Sequence, residues 1–91
     1  MVLTLSGELD AASAPGLEKR LGEVLADAHG RVLLDLNGLS FVDSTGVSVL
    51  IRARQQAEAN GRQLFLRRPT AQLREVFAVV GLTNWLDFED P

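Results

Sequence analysis

The sequence predicts an α/β domain with a mainly parallel, four-strand sheet covered by helices. Strand-like and helix-like hydrophobic patterns alternate along the chain in the order strand, helix, strand, helix, strand, helix, strand. Such alternation means βαβ crossovers, which are right-handed and join parallel strands. Val32-Leu33-Leu34-Asp35-Leu36 is an almost unbroken apolar run, as in a strand covered on both faces. Ninety-one residues leave room for one hydrophobic core, so 1–91 is expected to be a single domain. A chain of 9.9 kDa should expose roughly 5,200 Å² when folded, against about 14,400 Å² unfolded.

Val2–Ser6 alternates and is bounded by Gly7, which reads as a strand with Leu3 and Leu5 on one face and a turn over Gly7-Glu8-Leu9-Asp10. Ser13 and Pro15 are helix-start signals. Leu17, Leu21, Val24, Leu25 and Ala28 then recur at helical spacing, with Glu18, Lys19, Arg20, Glu23 and Asp27 toward water. His29, a favourable dipole partner at a helix C-terminus, and Gly30 close that helix. After the Val32–Leu36 strand, Asn37-Gly38 reads as a turn. A second helix is expected from Asp43 or Ser44 to Asn60, ended by Gly61. Leu64-Phe65-Leu66 is a third strand, followed by Arg67-Arg68-Pro69. Thr70 starts a third helix with Leu73, Val76, Phe77 and Val80 on its apolar face, closed by Gly81. Trp85–Phe88 is a short last strand, with Trp85 as a core plug.

Composition removes whole classes of function. Without cysteine there are no disulfides and no thiolate zinc sites. One histidine, His29, excludes two-histidine metal sites and mechanisms. Hydrophobic residues are 46% and charged ones 23%, ordinary for a globular domain. A net charge of −3 argues against direct nucleic-acid binding, which feeds on clustered Lys and Arg. No apolar run approaches a bilayer span and no basic leader precedes one, so a cytoplasmic protein without membrane insertion is expected. Opening directly on a strand is compatible with truncation of a longer chain. There is no phosphate-binding loop, no base near Ser44, and no acidic cluster with a lysine; nothing in the chain supports an enzyme, a cofactor or a metal site.

Parallel strands carry their C-terminal ends to one edge, which places Asp10, the Asn37–Asp43 segment and Arg67-Arg68 on one rim. Asp43-Ser44-Thr45-Gly46 stands where the second helix begins. Asp43 caps it, Gly46 permits close packing of the first turn, and Ser44 and Thr45 present hydroxyls at the positive end of the helix dipole. At 100° per residue, Gly46, Leu50, Ala53 and Ala57 face the sheet. Ser44, Ser48, Ile51 and Gln55 lie outside, with Val47 partly exposed at their border. Ile51 there is either part of a partner surface or covered by the third helix. Asp10 either makes a turn or touches a partner, and Arg67 and Arg68 form a solvated loop or help to pair a phosphate.

Gly7-Glu8-Leu9-Asp10, Asp35-Leu36-Asn37-Gly38-Leu39 and Phe41-Val42-Asp43-Ser44-Thr45-Gly46, with the tail from Leu64-Phe65-Leu66 through Val76-Phe77 to Gly81-Leu82, resemble the STAS domain of bacterial anti-sigma factor antagonists. The resemblance spans nearly the whole chain. It departs from the family at Asn37 (usually serine), Val47 (usually leucine) and Ser48 (often glycine), and this sequence is expected to lack the family's additional N-terminal strand or to hold only its successor. It implies a non-enzymatic switch in which the unphosphorylated protein binds an ATP-dependent anti-sigma serine kinase, which then releases its sigma factor. The serine of the Asp-Ser-Ser/Thr-Gly motif is the phosphoacceptor and maps to Ser44, and a PP2C-like phosphatase resets the switch. Asp10, Asp43, Thr45, Gly46, Val47, Ser48 and Ile51 are the implied partner-binding residues. The same fold also serves in membrane lipid-type ABC transport complexes, the alternative function.

Overall fold

β1 (Val2–Leu9), α1 (Ala14–Asp27), β2 (Arg31–Val42), α2 (Ser44–Ala59), β3 (Gln63–Arg67) and α3 (Ala71–Val79) follow one another in a computed structural model. It describes residues 2–27, 30–82 and 87–89. The expected α/β architecture is present, and the 5,155 Å² surface agrees with the area scaling. The sheet has three strands rather than four, in the order β1-β2-β3, with both pairings parallel. Of the expected last strand, Phe88 makes an isolated parallel bridge to Leu66. Trp85, His29 and Ala28 lie outside the described residues.

The strand order explains how the helices are distributed. Right-handed crossovers that advance steadily from β1 to β2 to β3 place both crossover helices on the same face. α3 joins them: Phe77 lies 6.0 Å from Phe88, the partner of Leu66. Leu21, Leu25, Leu50, Leu73 and Phe77 share one core with Leu3, Leu5, Leu34 and Leu66. The expectation of a sheet covered on both faces is therefore corrected to two layers. On the other face Val2, Thr4, Ser6 and Glu8 are exposed, as is Phe41. Leu33 is buried there without joining the main core.

Two turns read from the sequence are also corrected. β1 runs through Gly7, at φ +81°, to Leu9, and β2 runs through Asn37-Gly38 to Val42. The reason lies in apolar spacing. Leu36, Leu39 and Val42 are all buried, yet a strand alternates faces with period two. Residues three apart share a face only if the strand takes up an extra residue between them. Register shifts fall at those places: Thr4 pairs with Asp35 but Ser6 with Gly38, and Gly7 pairs with Leu39 but Glu8 with Phe41. Each is a β-bulge in β2. A Cβ on Gly38 would lie 3.0 Å from the Leu5 carbonyl oxygen, so glycine is what lets the first bulge press against β1.

The helices follow the predicted signals closely. Asp43 and Thr70 cap α2 and α3, each accepting the N–H three residues on, from Gly46 and Leu73. Gly30, Gly61 and Gly81 take positive φ after their helices. Val80, expected on the apolar face of α3, is 49% exposed because the helix ends at Val79 and Val80 is its C-cap.

Among the described residues Asp35 is the buried charged one, on the face of β2 turned away from the main core. Its Oδ2 meets the Arg68 guanidinium and its Oδ1 accepts the Asn37 N–H at 3.0 Å. The Arg68 hydrogen bond, then the Asn37 one, hold this carboxyl below its usual range against the opposing effect of burial. A lowered folded-state value contributes stability that is complete above the unfolded carboxyl value near ~4 and declines as pH falls from there through the folded value. Asp35→Asn should therefore make the loss of stability between about pH 5 and pH 3 shallower, read from urea midpoints across that range. An unchanged slope would remove Asp35 from the acid response.

Candidate functional site

β1 and β2 end side by side: Leu9 pairs with Val42, and the Asp43 N–H donates to the Leu9 carbonyl at 3.1 Å. Two helices start from this joint. Asp10 seeds the turn into α1, its Oδ1 accepting the Ala12 and Ser13 N–H groups at 3.0 Å each and its carbonyl accepting the Ala14 N–H at 2.8 Å. The Ser13 hydroxyl accepts the Asp10 N–H at 3.0 Å and donates to the Glu8 carbonyl at 2.7 Å. Asp43 opens α2 from an extended backbone, its Oδ1 accepting the Gly46 N–H at 2.9 Å and its carbonyl the Val47 N–H at 2.9 Å.

Ser44 is therefore the first residue of α2, and its side chain is exposed. Among the described residues no hydrogen bond engages its hydroxyl or that of Thr45, which is exposed beside it. The N–H groups of Ser44 and Thr45 stand in the turn where a helix offers no internal acceptor. One turn on, the Ser48 hydroxyl donates to the Ser44 carbonyl at 3.0 Å. A doubly anionic group on Ser44 would meet unpaired donors and a favourable dipole rather than a packed interior.

Beneath these hydroxyls α2 is wedged onto the sheet. A Cβ on Gly46 would lie 2.7 Å from both Cγ and the carbonyl oxygen of Leu9. Val47, expected to be partly exposed, is 7% exposed and belongs to the core. The buried arc of α2 runs from Val49 through Ala53, Gly46, Ala57 and Leu50 to Val47, about 160° of the helix. That is wider than the stripe read from the sequence and takes in its border. Ile51 packs on the core and keeps part of its surface exposed. The exposed or half-exposed members of the set are thus Asp10, Asp43, Ser44, Thr45, Ser48 and Ile51, while Gly46 and Val47 support them from inside.

Arg67 and Arg68 do not share this rim. Asp35 pairs with Arg67, so β3 ends while β2 has seven more residues to run, a distance of about 20 Å. Both arginines are also engaged, Arg68 with Asp35 and Arg67 with Glu89 at 3.1 and 3.3 Å. A phosphate on Ser44 would find no clamp there. Sequence reasoning missed Leu9, whose carbonyl and side chain seat α2. Its signal was the Leu3, Leu5, Leu9 spacing, hidden by reading Gly7 as a strand end.

Capping and contact can be separated at Asp43. Asp43→Ala should cost about 1 kcal/mol of stability through the lost N-cap, and Asp43→Asn only a few tenths, because asparagine caps nearly as well. Chemical denaturation checks both. Equal losses would show that the negative charge rather than the acceptor oxygen matters.

Among the described residues there is no group of carboxylates and histidine that could hold a metal ion, and no helix long and apolar enough to cross a membrane. The fold is similar to that of the anti-sigma factor antagonist SpoIIAA in its unphosphorylated form, at 27% identity and TM-score 0.80, covering 98% of this chain and 78% of that one. An anti-sigma factor antagonist from Mycobacterium paratuberculosis matches at 27% identity and TM-score 0.79, covering 99% and 76%. The Bacillus cell fate determinant SpoIIAA in the phosphorylated form matches at 27% identity and TM-score 0.72, covering 98% and 81%. No curated protein sequence matches this one. The STAS domain family model matches residues 1–90, and with the parallel sheet, the capped α2 and the Asp43–Gly46 turn in place, the chain belongs to the STAS domain family.

Proposed function

We propose that this protein is a non-enzymatic anti-sigma factor antagonist whose unphosphorylated form binds an ATP-dependent anti-sigma serine kinase. Phosphorylation of Ser44 by that kinase switches the binding off, and a PP2C-like phosphatase restores it. The observation that carries the reading is the exposed, unengaged Ser44 hydroxyl at the start of α2, with Asp10 and Asp43 beside it. The structural neighbours support the role, since they are antagonists and one is a phosphorylated form.

The docking surface consists of Asp10, Asp43, Thr45, Ser48 and Ile51 around Ser44, with Gly46 and Val47 fixing its shape from beneath. Phosphorylation adds roughly −1.5 to −2 charges at its centre. Asp43 precedes Ser44 directly and Asp10 follows Leu9, whose carbonyl the Asp43 N–H meets, so the phosphate adds to an already acidic rim and brings negative charge and a desolvation cost to the interface. The switch needs no rearrangement of the domain.

Incubation with the partner kinase and ATP, followed by intact-mass measurement and peptide mapping, tests the reading. One added phosphate on Ser44 and dissociation of the complex are expected. Co-purification with a membrane ABC complex and no phosphate under any condition would replace it by the transporter-subunit function.

A further inference from the structure

The bulges in β2 decide where Ser44 stands, and each is fastened by a side chain. At the first, Asp35 Oδ1 accepts the Asn37 N–H at 3.0 Å while its Oδ2 is held by Arg68. At the second, the Ser40 hydroxyl donates to the Gly7 carbonyl at 3.2 Å. Arg68 is the non-glycine residue with positive φ, +51°, among the described residues. The chain leaving β3 thus adopts a strained backbone that coincides with the reach of this guanidinium over Asp35. The Asp35 carboxylate is buried while Asn37 and Gly38 are exposed, so this carboxylate is the protein group that holds the Asn37 N–H at the solvent edge of the bulge.

We infer that Asp35 is a positioning residue for the Ser44 phosphoacceptor, acting through Arg68 and the Asn37 bulge on the register in which β2 delivers α2 to the end of β1. Without that bulge, β1 and β2 would pair in continuous register after Thr4 and Asp35, and each one-residue slip turns the following side chains to the opposite face. Leu39 would then leave the core, the Asp43 N–H would no longer meet the Leu9 carbonyl, and Gly46 would lose its seat on Leu9. The inference rests on Ser44 being the phosphoacceptor, and it adds a control point about 20 Å along the sheet from that hydroxyl. A displacement of ~1 Å in a reacting group is enough to cost orders of magnitude in rate.

Amide spectra of the full chain test it without any partner. In Asp35→Ala the resonances of Gly38 and of residues 43–46 should move, and the Asp43 amide should exchange about tenfold faster relative to that of Leu34. Asp35→Asn, which keeps an oxygen for the Asn37 N–H, should return them toward wild type. Arg68→Gln, at an exposed side chain, should move the same resonances by less and decides the matter if Asp35→Ala does not fold. Leu25→Ala, a destabilising change in α1 away from the bulges, should leave residues 43–46 in place. Residues 43–46 superimposing on wild type in Asp35→Ala or Arg68→Gln, or moving as far in Leu25→Ala, would overturn the inference. With the kinase that modifies wild-type Ser44, Asp35→Ala should lower kcat about tenfold with KM little changed, and Asp35→Asn should recover most of it. Absence of phosphate on wild-type Ser44 would remove the proposed function and leave the spectral result to judge the register.

Discussion

Ser44→Asp is expected to weaken binding to the anti-sigma kinase by about a thousandfold, whereas Ser44→Ala binds like the wild type and accepts no phosphate. The size follows from the interface. A permanent carboxylate at the centre of the docking surface must be desolvated on docking and opposes any acidic group the kinase places there, a cost of several kcal/mol, and about 4 kcal/mol is a factor of roughly a thousand. The fold should not suffer. Ser44 is exposed at the first position of α2, where a negative charge gains about 0.3–1 kcal/mol from the helix dipole. Thermal midpoints of both variants should therefore lie at or slightly above wild type while calorimetric binding separates them. Full-affinity binding by Ser44→Asp would end the switch. So would phosphate appearing elsewhere in Ser44→Ala.

The parts of this arrangement that could be read from the sequence are those governed by local chemistry. Asp43, Thr70 and the glycines at 30, 61 and 81 act within a turn of where they stand, and the caps and helix ends fall where those residues predict. The exposed Ser44 follows from the same locality. What escaped was long-range. Asn37-Gly38 carries every mark of a turn, but pairing with β1 and burial of Leu36, Leu39 and Val42 absorb it as a bulge instead. The shared rim failed because strand length, not strand order, decides which ends coincide; β3 stops opposite Asp35. One-sided helix packing follows from the unreversed strand order, which hydrophobic alternation alone does not disclose. Val47 illustrates the same limit at the site, since the width of a helix's buried arc depends on how its neighbours close around it.

Gly46→Ala is the variant in which the site's geometry is most exposed to test, and it should destabilise the domain by about 2 kcal/mol or more. In an isolated helix the substitution would be favourable by roughly 1 kcal/mol, so helix propensity and packing predict opposite signs. Packing wins because the new methyl would stand 2.7 Å from a backbone carbonyl as well as from the Leu9 side chain. A side chain can rotate away. The Leu9 carbonyl cannot without giving up the Asp43 N–H, and Leu9 is itself paired with Val42. Relief has to come from lifting the first turn of α2 off β1, which also carries Ser44 away from Asp10. Gly46→Ala should accordingly lower the thermal midpoint by roughly 8–16 °C for a domain of this size and weaken kinase binding in the fraction that remains folded. A midpoint at or above wild type would mean that α2 moves outward at no cost, and the joint between Leu9 and Gly46 would then not be what holds Ser44 in place.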